Sequence, residues 1–269
     1  NNKRFMKHSA GIIVLCLLAA IALPACKTQY EAILSGNDMD LKYKIAMEYF
    51  NAGKYGKSAQ LFESMTMLTT GTERDDSVQY YWGLSNYLNK DYYTAEANFE
   101  SFISKFPRSI FTEPAMFYRL DCMYRQTLRY ELDQRPTYSA MAAMGEYLAQ
   151  FPEGEHSDLC RSMLESLGNR LDRKAYENAK LYYKMEDYKA ARVAFKNVLK
   201  EDADNIYRED ILYYSAMSSY KFAELSVQSK QKERFLVFQD DYLNFIGEYP
   251  DSKYRKELDS LYKKVKGKN

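Results

Sequence analysis

Aromatic and small residues recur along the chain at spacings that suit pairs of α-helices. Stretches starting at Glu48, Asn86 and Leu181 each contain an aromatic residue, a short polar turn and a Tyr, followed by a small residue and another aromatic residue. The matched positions are Tyr55, Ser58 and Phe62, then Tyr92, Ala95 and Phe99, and then Tyr188, Ala191 and Phe195. The small residue and the final aromatic residue lie four positions apart, so they share one helix face. Repetition of this unit predicts an all-α array of helix–turn–helix repeats.

Turn residues and prolines divide the pattern into repeats. They are the turns Gly53-Lys54, Lys90-Asp91 and Glu186-Asp187 and the closing prolines Pro107, Pro152 and Pro250. Proline cannot continue a helix, so each of the three ends a second helix of a pair. We therefore expect about five repeats, three of them in residues 41–152 and two in residues 153–269.

Two aromatic positions recur in the first helix of every repeat. The first ring position holds Tyr43, Tyr80, Phe117, Tyr176 and Tyr213, and the second ring position holds Phe50, Tyr87, Tyr124, Tyr183 and Tyr220. The two positions are seven residues apart, which is about two helical turns, so each pair lies on one helix face. That face either lines an open groove or packs against the next repeat.

The spacing between repeats is irregular in the middle of the chain. The sequence predicts a longer turn around residues 130–136 and one long helix from about Glu155 to Lys184, which divides the array. We expect an insertion between the helices of the fifth repeat, at residues 225–233. The charge-rich segment 253–268 is typical of the polar helix that caps such an array.

The first residues have the character of an export signal. Lys3, Arg4 and Lys7 precede an apolar run over residues 11–25. As a helix this run would be about 22 Å long, shorter than the roughly 30 Å apolar core of a membrane. A basic start, a short apolar run and a small-residue exit indicate a signal peptide over residues 1–25. Residues 26–40 are polar and lack a clear period, so we expect a tether there.

The exit of this segment, Leu23-Pro24-Ala25-Cys26, resembles the lipobox of bacterial lipoproteins. In that family the cysteine is acylated and becomes the mature N-terminus, which would make Cys26 the lipidation site and the lipid a membrane anchor. Pro24 departs from the usual small residue. The alternative is an ordinary secretory signal that ends near a cysteine.

Charge and composition exclude some functions. The chain has 38 basic and 37 acidic residues, and removal of residues 1–25 leaves a small acidic excess. Proteins that bind nucleic acid through phosphate contacts normally carry a basic excess, so nucleic acid is not an expected partner. With 11 Gly and 6 Pro, the chain is also too poor in turn formers for a β-sandwich or barrel.

The sequence offers no set of residues for catalysis or metal binding. His156 and Cys160 are four apart on a predicted helix, but two ligands do not make a metal site. Glycine-rich phosphate loops and nucleophile motifs are absent from the sequence. We therefore expect no enzyme activity, no catalytic residues, no metal and no cofactor. An oxidising compartment would permit a disulfide between Cys122 and Cys160, although we favour two buried thiols.

The repeat resembles the tetratricopeptide repeat, in which a small residue and Tyr precede a short turn and Tyr, Ala, Phe and Pro follow it. The implied fold is a superhelix of about five repeats. A lipobox followed by second helices that end FPRS, FPEGE and YPDSKY is similar to BamD, the family of outer-membrane lipoproteins in the β-barrel assembly machinery. The resemblance covers the chain from Cys26 to about Lys264.

This resemblance implies a location, partners and sites. The protein would be anchored in the outer membrane and face the periplasm, alongside other assembly lipoproteins. The N-terminal repeats would offer a groove for unfolded outer-membrane protein segments, lined by Tyr43, Phe50, Tyr80, Tyr87, Phe117 and Tyr124. The C-terminal repeats would dock on the POTRA domains of the barrel subunit through Tyr176, Tyr183, Tyr213 and Tyr220. The alternative is a periplasmic scaffold for cell-wall synthesis or for a secretion system.

Overall fold

The computed structural model describes residues 29–266, which form twelve helices and contain no strand. The predicted signal peptide and Cys26 lie outside the described residues. The first helix, α1, covers residues 29–35. The others are α2 (Met39–Asn51), α3 (Tyr55–Met65), α4 (Asp75–Leu88), α5 (Tyr92–Lys105), α6 (Thr112–Gln126), α7 (Arg135–Gln150), α8 (Ser157–Lys184), α9 (Tyr188–Glu201), α10 (Arg208–Glu224), α11 (Gln228–Glu248) and α12 (Arg255–Lys266). The predicted all-α repeat fold is confirmed.

The helices form two compact units. Among the described residues, unit 1 contains residues 29–127 and 142–157, and unit 2 contains residues 128–141 and 158–266. The sequence placed the division between residues 152 and 153. Segment 128–141 belongs to unit 2 because Arg170 and Lys174 of α8 donate hydrogen bonds to its carbonyl oxygens, at 3.0 Å from Leu128 O and 2.9 Å from Tyr130 O.

The short turns within three repeats share one backbone conformation. Gly53, Lys90 and Glu186 each adopt a left-handed conformation, with φ of 70°, 65° and 62°. The next residue caps the second helix in two of them, where Asp91 accepts a hydrogen bond from Thr94 N and Asp187 accepts one from Ala190 N. An Asp before the first helical turn satisfies an amide that has no partner inside the helix. The turns therefore lie where the sequence predicted them.

Paired helices come closest at small residues. A Cβ added to Gly83 of α4 would lie 3.0 Å from the ring of Phe99 in α5, so no larger residue fits without displacing that ring. Ser58 stands where the repeat usually has Ala, and its hydroxyl donates to Ala46 O at 3.0 Å and lies 3.1 Å from Ser85 Oγ. This serine is fully buried, and the two contacts satisfy its hydroxyl.

Two segments differ from the sequence-based expectation. Residues 29–35, within the predicted tether, are helical and lie on the first repeat. There the Tyr30 hydroxyl donates to Gln60 Oε1 at 2.9 Å, and Lys42 Nζ donates to Leu34 O at 2.8 Å. The insertion predicted at residues 225–233 is largely helical, because α11 already begins at Gln228. In the described part of the chain, no helix has the length and apolarity needed to cross a membrane.

Candidate binding surfaces

The first ring position is mainly structural. Tyr80, Phe117, Tyr176 and Tyr213 are each at most 8% exposed, and only Tyr43 is half-buried. Four of these rings stack on the residue that immediately precedes a later first helix. The pairs and their centroid distances are Tyr80–Phe111 (4.5 Å), Phe117–His156 (4.1 Å), Tyr176–Tyr207 (4.7 Å) and Tyr213–Tyr254 (3.9 Å). These rings therefore join one repeat to the next instead of lining an open groove.

Tyr43, the fifth residue at the first ring position, is also covered by the residue that precedes a later first helix, but that residue is a cation. Arg74 precedes α4, and its guanidinium carbon lies 5.4 Å from the centroid of Tyr43. A guanidinium over an aromatic face is attracted by the ring quadrupole. Every first ring position in the described chain is thus covered by a planar group. The repeat pattern did not predict these stacking partners, although three of them, Arg74, Phe111 and Tyr207, follow their ring by the same number of residues.

The residue after each stacking partner closes the turn between repeats. In unit 1 these residues are short. Asp75 accepts from Gly71 N at 3.0 Å, Thr112 Oγ1 donates to Phe106 O at 2.7 Å, and Ser157 Oγ donates to Phe151 O at 2.5 Å. In unit 2 the closing residues are arginines. Arg208 donates to Ala203 O at 2.8 Å, and Arg255 donates to Pro250 O at 2.6 Å. We call each pair of stacking and closing residues a joint.

A second series of stacks crosses the repeats. The final Phe of the repeat motif stacks on a Tyr in the first helix of the next repeat, with centroid distances of 5.8 Å for Phe62–Tyr81, 5.8 Å for Phe99–Tyr118 and 6.0 Å for Phe195–Tyr214. Much of the aromatic content thus packs repeat against repeat. The high tyrosine content is therefore not by itself evidence of a binding groove.

The second ring position is more open. Phe50, Tyr87, Tyr124 and Tyr183 are half-buried, whereas Tyr220 is buried. Three of these rings meet the Tyr that begins the following helix edge to face, with centroid distances of 5.6 Å for Phe50–Tyr55, 5.7 Å for Tyr87–Tyr92 and 5.4 Å for Tyr183–Tyr188. We call these pairs the corner pairs. Each leaves part of two aromatic rings open to solvent.

The corner pair of the second repeat has a charged neighbour. Tyr87 donates to Asp121 Oδ2 at 2.6 Å, and the same oxygen accepts from Arg125 Nε at 2.5 Å. The Arg125 guanidinium carbon lies 5.1 Å from the Tyr92 centroid. Burial and the hydrogen bond to Asp121 raise the pKa of Tyr87 above its ordinary value. Since the Arg125 side chain remains 45% exposed, this corner offers two rings and a cation to a ligand.

In unit 2 the expected docking tyrosines lie mostly in the core. Tyr176, Tyr213 and Tyr220 pack within it, and burial raises the pKa of Tyr176 to about 12. Burial, together with the nearby Tyr188, also raises the pKa of Tyr183 to about 12. Of these four residues, only Tyr183 retains substantial open area, so a partner of unit 2 would mostly meet other side chains.

Each unit has a cleft between two second helices. In unit 1 it has a volume of about 360 Å³ and is lined by Ile103, Met116, Leu120 and Arg119 among others. In unit 2 the cleft between α9, α10 and α11 has about 620 Å³. There Asp241 accepts from Arg192 Nε at 3.0 Å and lies 3.3 Å from Lys196 Nζ. Both clefts therefore contain ion pairs, because in the unit 1 cleft Arg119 Nη2 lies 3.1 Å from Glu100 Oε1.

The two described cysteines are buried. Burial, the largest effect at each, raises the pKa of Cys122 to about 12 and that of Cys160 to about 11, and Cys122 is a free thiol. Thiols with such raised pKa values are poor nucleophiles at neutral pH. Over residues 29–266, no group of three or more His, Cys, Asp or Glu side chains is placed to hold a metal ion.

Helix pairs with left-handed turns, small residues at the closest approach and aromatic joints define a tetratricopeptide-type repeat protein. The chain belongs to the family described as YfiO, outer membrane lipoprotein, whose model matches residues 36–236. It is also 18% identical over 248 residues to the outer membrane protein assembly factor BamD of Caulobacter vibrioides, a match that covers 91% of this chain and 79% of that protein. The predicted resemblance to the BamD family is thus confirmed.

Two solved structures are also similar. A thermophilic TPR protein of Thermus thermophilus aligns with 84% of this chain and 97% of its own, at 12% identity and a TM-score of 0.34. The TPR2AB domain of yeast Sti1, solved as a pHSP90 complex, aligns with 86% of this chain and 100% of its own, at 12% identity and a TM-score of 0.38.

Proposed function

We propose that this outer membrane lipoprotein is a non-enzymatic subunit of the β-barrel assembly machinery. It is anchored through lipid on Cys26, faces the periplasm, binds unfolded outer-membrane protein segments through unit 1 and docks on the POTRA domains of the barrel subunit through unit 2. The observation that carries the proposal is the family match over residues 36–236, which spans both units. The name of the Caulobacter relative, an outer membrane protein assembly factor, supports it.

The corner pairs of unit 1 are the proposed contact for unfolded segments. Tyr and Phe rings give a large apolar contact with few rotatable bonds, and a Tyr hydroxyl adds a polar tip. Arg125 beside Tyr92 adds a donor for a carboxylate or a backbone carbonyl. Phe50 and Tyr87 therefore remain candidates, together with their partners Tyr55 and Tyr92. Tyr124 belongs to no corner pair but remains a candidate because it is half-buried. Tyr80 and Phe117 contribute by holding the repeats in place.

A peptide-binding measurement tests this contact with a matched control inside the same chain. The ligand is a peptide from the last strand of an outer-membrane barrel protein, ending in its aromatic residue. We expect Tyr87→Ala with Tyr92→Ala to weaken binding at least 10-fold, because two apolar contacts are removed. The equivalent corner pair of unit 2, changed by Tyr183→Ala with Tyr188→Ala, should alter the affinity less than 2-fold. Equal losses in the two double variants would contradict the assignment to unit 1.

The role in the machinery is tested in native membranes. The lipidated protein is isolated in mild detergent, and the proteins that accompany it are identified by mass spectrometry. We expect a large barrel protein with POTRA domains, and we expect its loss when Cys26→Ser removes the anchor and lowers the local concentration at the membrane. Recovery of cell-wall or secretion components alone would replace the proposal with a different scaffold function.

A further inference from the structure

The last helix concentrates positive charge. Residues 253–266 contain six basic residues and two acidic ones, whereas the rest of the chain has more acidic than basic residues. Lys253, Lys256, Lys263, Lys264 and Lys266 are all exposed. Lysines in the last turn also interact favourably with the helix dipole, but that effect does not extend to Lys253 and Lys256 before and in the first turn.

The acidic residues of this segment are already engaged. Tyr213 donates to Glu257 Oε2 at 2.9 Å, Tyr242 donates to Asp259 Oδ1 at 2.7 Å, and Arg255 lies 3.6 Å from Asp259. No ion pair involves any of the five lysines within residues 29–266. Like charges held on one short helix repel one another, and a negatively charged surface would relieve that repulsion.

The apolar face of α12 is not available to a bilayer. Leu258 and Val265 are at most 1% exposed, and Tyr262 stacks on Tyr242 with centroids 4.2 Å apart. A helix that lies in a membrane interface must insert its apolar face, and in α12 that face already packs on unit 2. What α12 presents outward is therefore a set of exposed lysine side chains on a helix that is held in place by unit 2.

We propose that the lysine face of α12 is the surface through which unit 2 docks, and that it takes an acidic face on a folded periplasmic partner domain. This inference rests on the proposed docking of unit 2 and gives that docking site its chemistry. Lysines at such a contact act as point charges, so they speed encounter and select against basic partners. The buried tyrosines of unit 2 then support the docking helix without forming the contact, since Tyr213 and Tyr242 hold its two carboxylates.

Binding of the mature chain to the purified POTRA domains of the barrel subunit from the same organism tests the inference. We expect the affinity of the unaltered protein to fall as salt is raised from about 50 to 200 mM, because exposed charges are screened over about 10 Å. The neutral triple variant Lys256→Gln, Lys263→Gln and Lys264→Gln should bind at least 10-fold more weakly. The triple variant Lys44→Gln, Lys189→Gln and Lys232→Gln removes the same charge from exposed lysines elsewhere and should change the affinity less than 2-fold.

The possible outcomes separate the two proposals. If the unaltered protein binds and the α12 variant binds equally well, the inference is overturned while docking through unit 2 stands. No binding by the unaltered protein overturns the docking and the inference together. A vesicle flotation assay tests the membrane as the alternative occupant. It uses the mature chain with Cys26→Ser, which carries no acyl chains, and vesicles of three parts phosphatidylethanolamine to one part phosphatidylglycerol. If the α12 variant loses flotation but keeps POTRA binding, the lysine face binds the membrane and the inference is overturned. Circular dichroism and thermal unfolding confirm that each variant is folded.

Discussion

The joints of unit 1 and unit 2 make the same two contacts, a stack on the first ring position and a hydrogen bond that closes the turn, but with different side chains. In unit 1 the stacking residue is Arg, Phe or His, and a short, buried Asp, Thr or Ser closes the turn. In unit 2 the stacking residue is Tyr in both joints, and a long arginine closes the turn. The stacking position thus requires a flat group, and the closing position requires a hydrogen-bonding group that reaches the turn backbone.

We expect the two units to differ in which of these contacts contributes more to folding stability. In unit 1 the closing residue is itself buried, so replacing it removes a hydrogen bond that is largely shielded from water on the side-chain side. An arginine at the surface satisfies a carbonyl that water can reach as well. We therefore expect the closing residues to matter more in unit 1 and the stacking rings to matter more in unit 2.

The largest effect is expected at the last joint of unit 2. Tyr254 stacks 3.9 Å from Tyr213 and its hydroxyl donates to Asp210. Tyr254→Ala should lower the free energy of unfolding by about 3 kcal/mol, through the lost ring contact and hydrogen bond. Tyr254→Phe keeps the ring and should cost only about 1 kcal/mol. Urea denaturation followed by circular dichroism measures both. Equal losses in the two variants would show that the stack contributes little.

The next effect tests the first joint of unit 1. Asp75 is 3% exposed and accepts from Lys105 Nζ at 2.9 Å and from Gln79 Nε2 at 2.6 Å as well as from Gly71 N. Burial alone would raise its pKa, but these donors hold the pKa of Asp75 below its ordinary value of 3.8. Asp75→Asn should lower the free energy of unfolding at pH 7 by about 2 kcal/mol.

The pH dependence of this variant follows from the direction of the shift. A carboxyl whose pKa is lower in the folded chain contributes stability above its unfolded pKa, and that contribution is lost as the pH falls through the folded pKa. The difference between wild type and Asp75→Asn should therefore be largest near pH 7 and shrink below about pH 4. Unfolding curves at both pH values measure it. A difference that stays constant with pH would contradict the assigned role of the charge.

The smallest effects compare closing residues directly. Ser157 is 1% exposed, and Ser157→Ala removes the donor to Phe151 O, at an expected cost of about 1.5 kcal/mol. Arg255→Ala removes the donor to Pro250 O, but its side chain is 44% exposed, so we expect a loss below about 0.5 kcal/mol. Thermal unfolding of the two single variants gives the ranking. A larger loss of stability for Arg255→Ala than for Ser157→Ala would contradict the expectation that closing residues matter more in unit 1.

Local pattern in the sequence determined most of the helical architecture. The helix pairs, the turns at Gly53, Lys90 and Glu186, and the long helix ending at Lys184 follow from helical periodicity and from turn residues, which act over a few positions. The sequence also located both ring positions, because seven residues separate them in every repeat. It did not find α1, whose few apolar residues form a helix on the support of the first repeat.

Only the tertiary structure decided which aromatic residues are buried. Tyr80 and Tyr87 lie on the same face of α4, yet Phe111 covers Tyr80 while Tyr87 stays half-buried. The covering group comes from the turn after the next helix, so a pattern read within one helix cannot reveal it. The exposed lysines of α12 became apparent in the same way, since the tyrosines that engage its carboxylates lie on α10 and α11. Helical period is a local property of the chain, whereas burial and charge pairing depend on residues that only folding brings together.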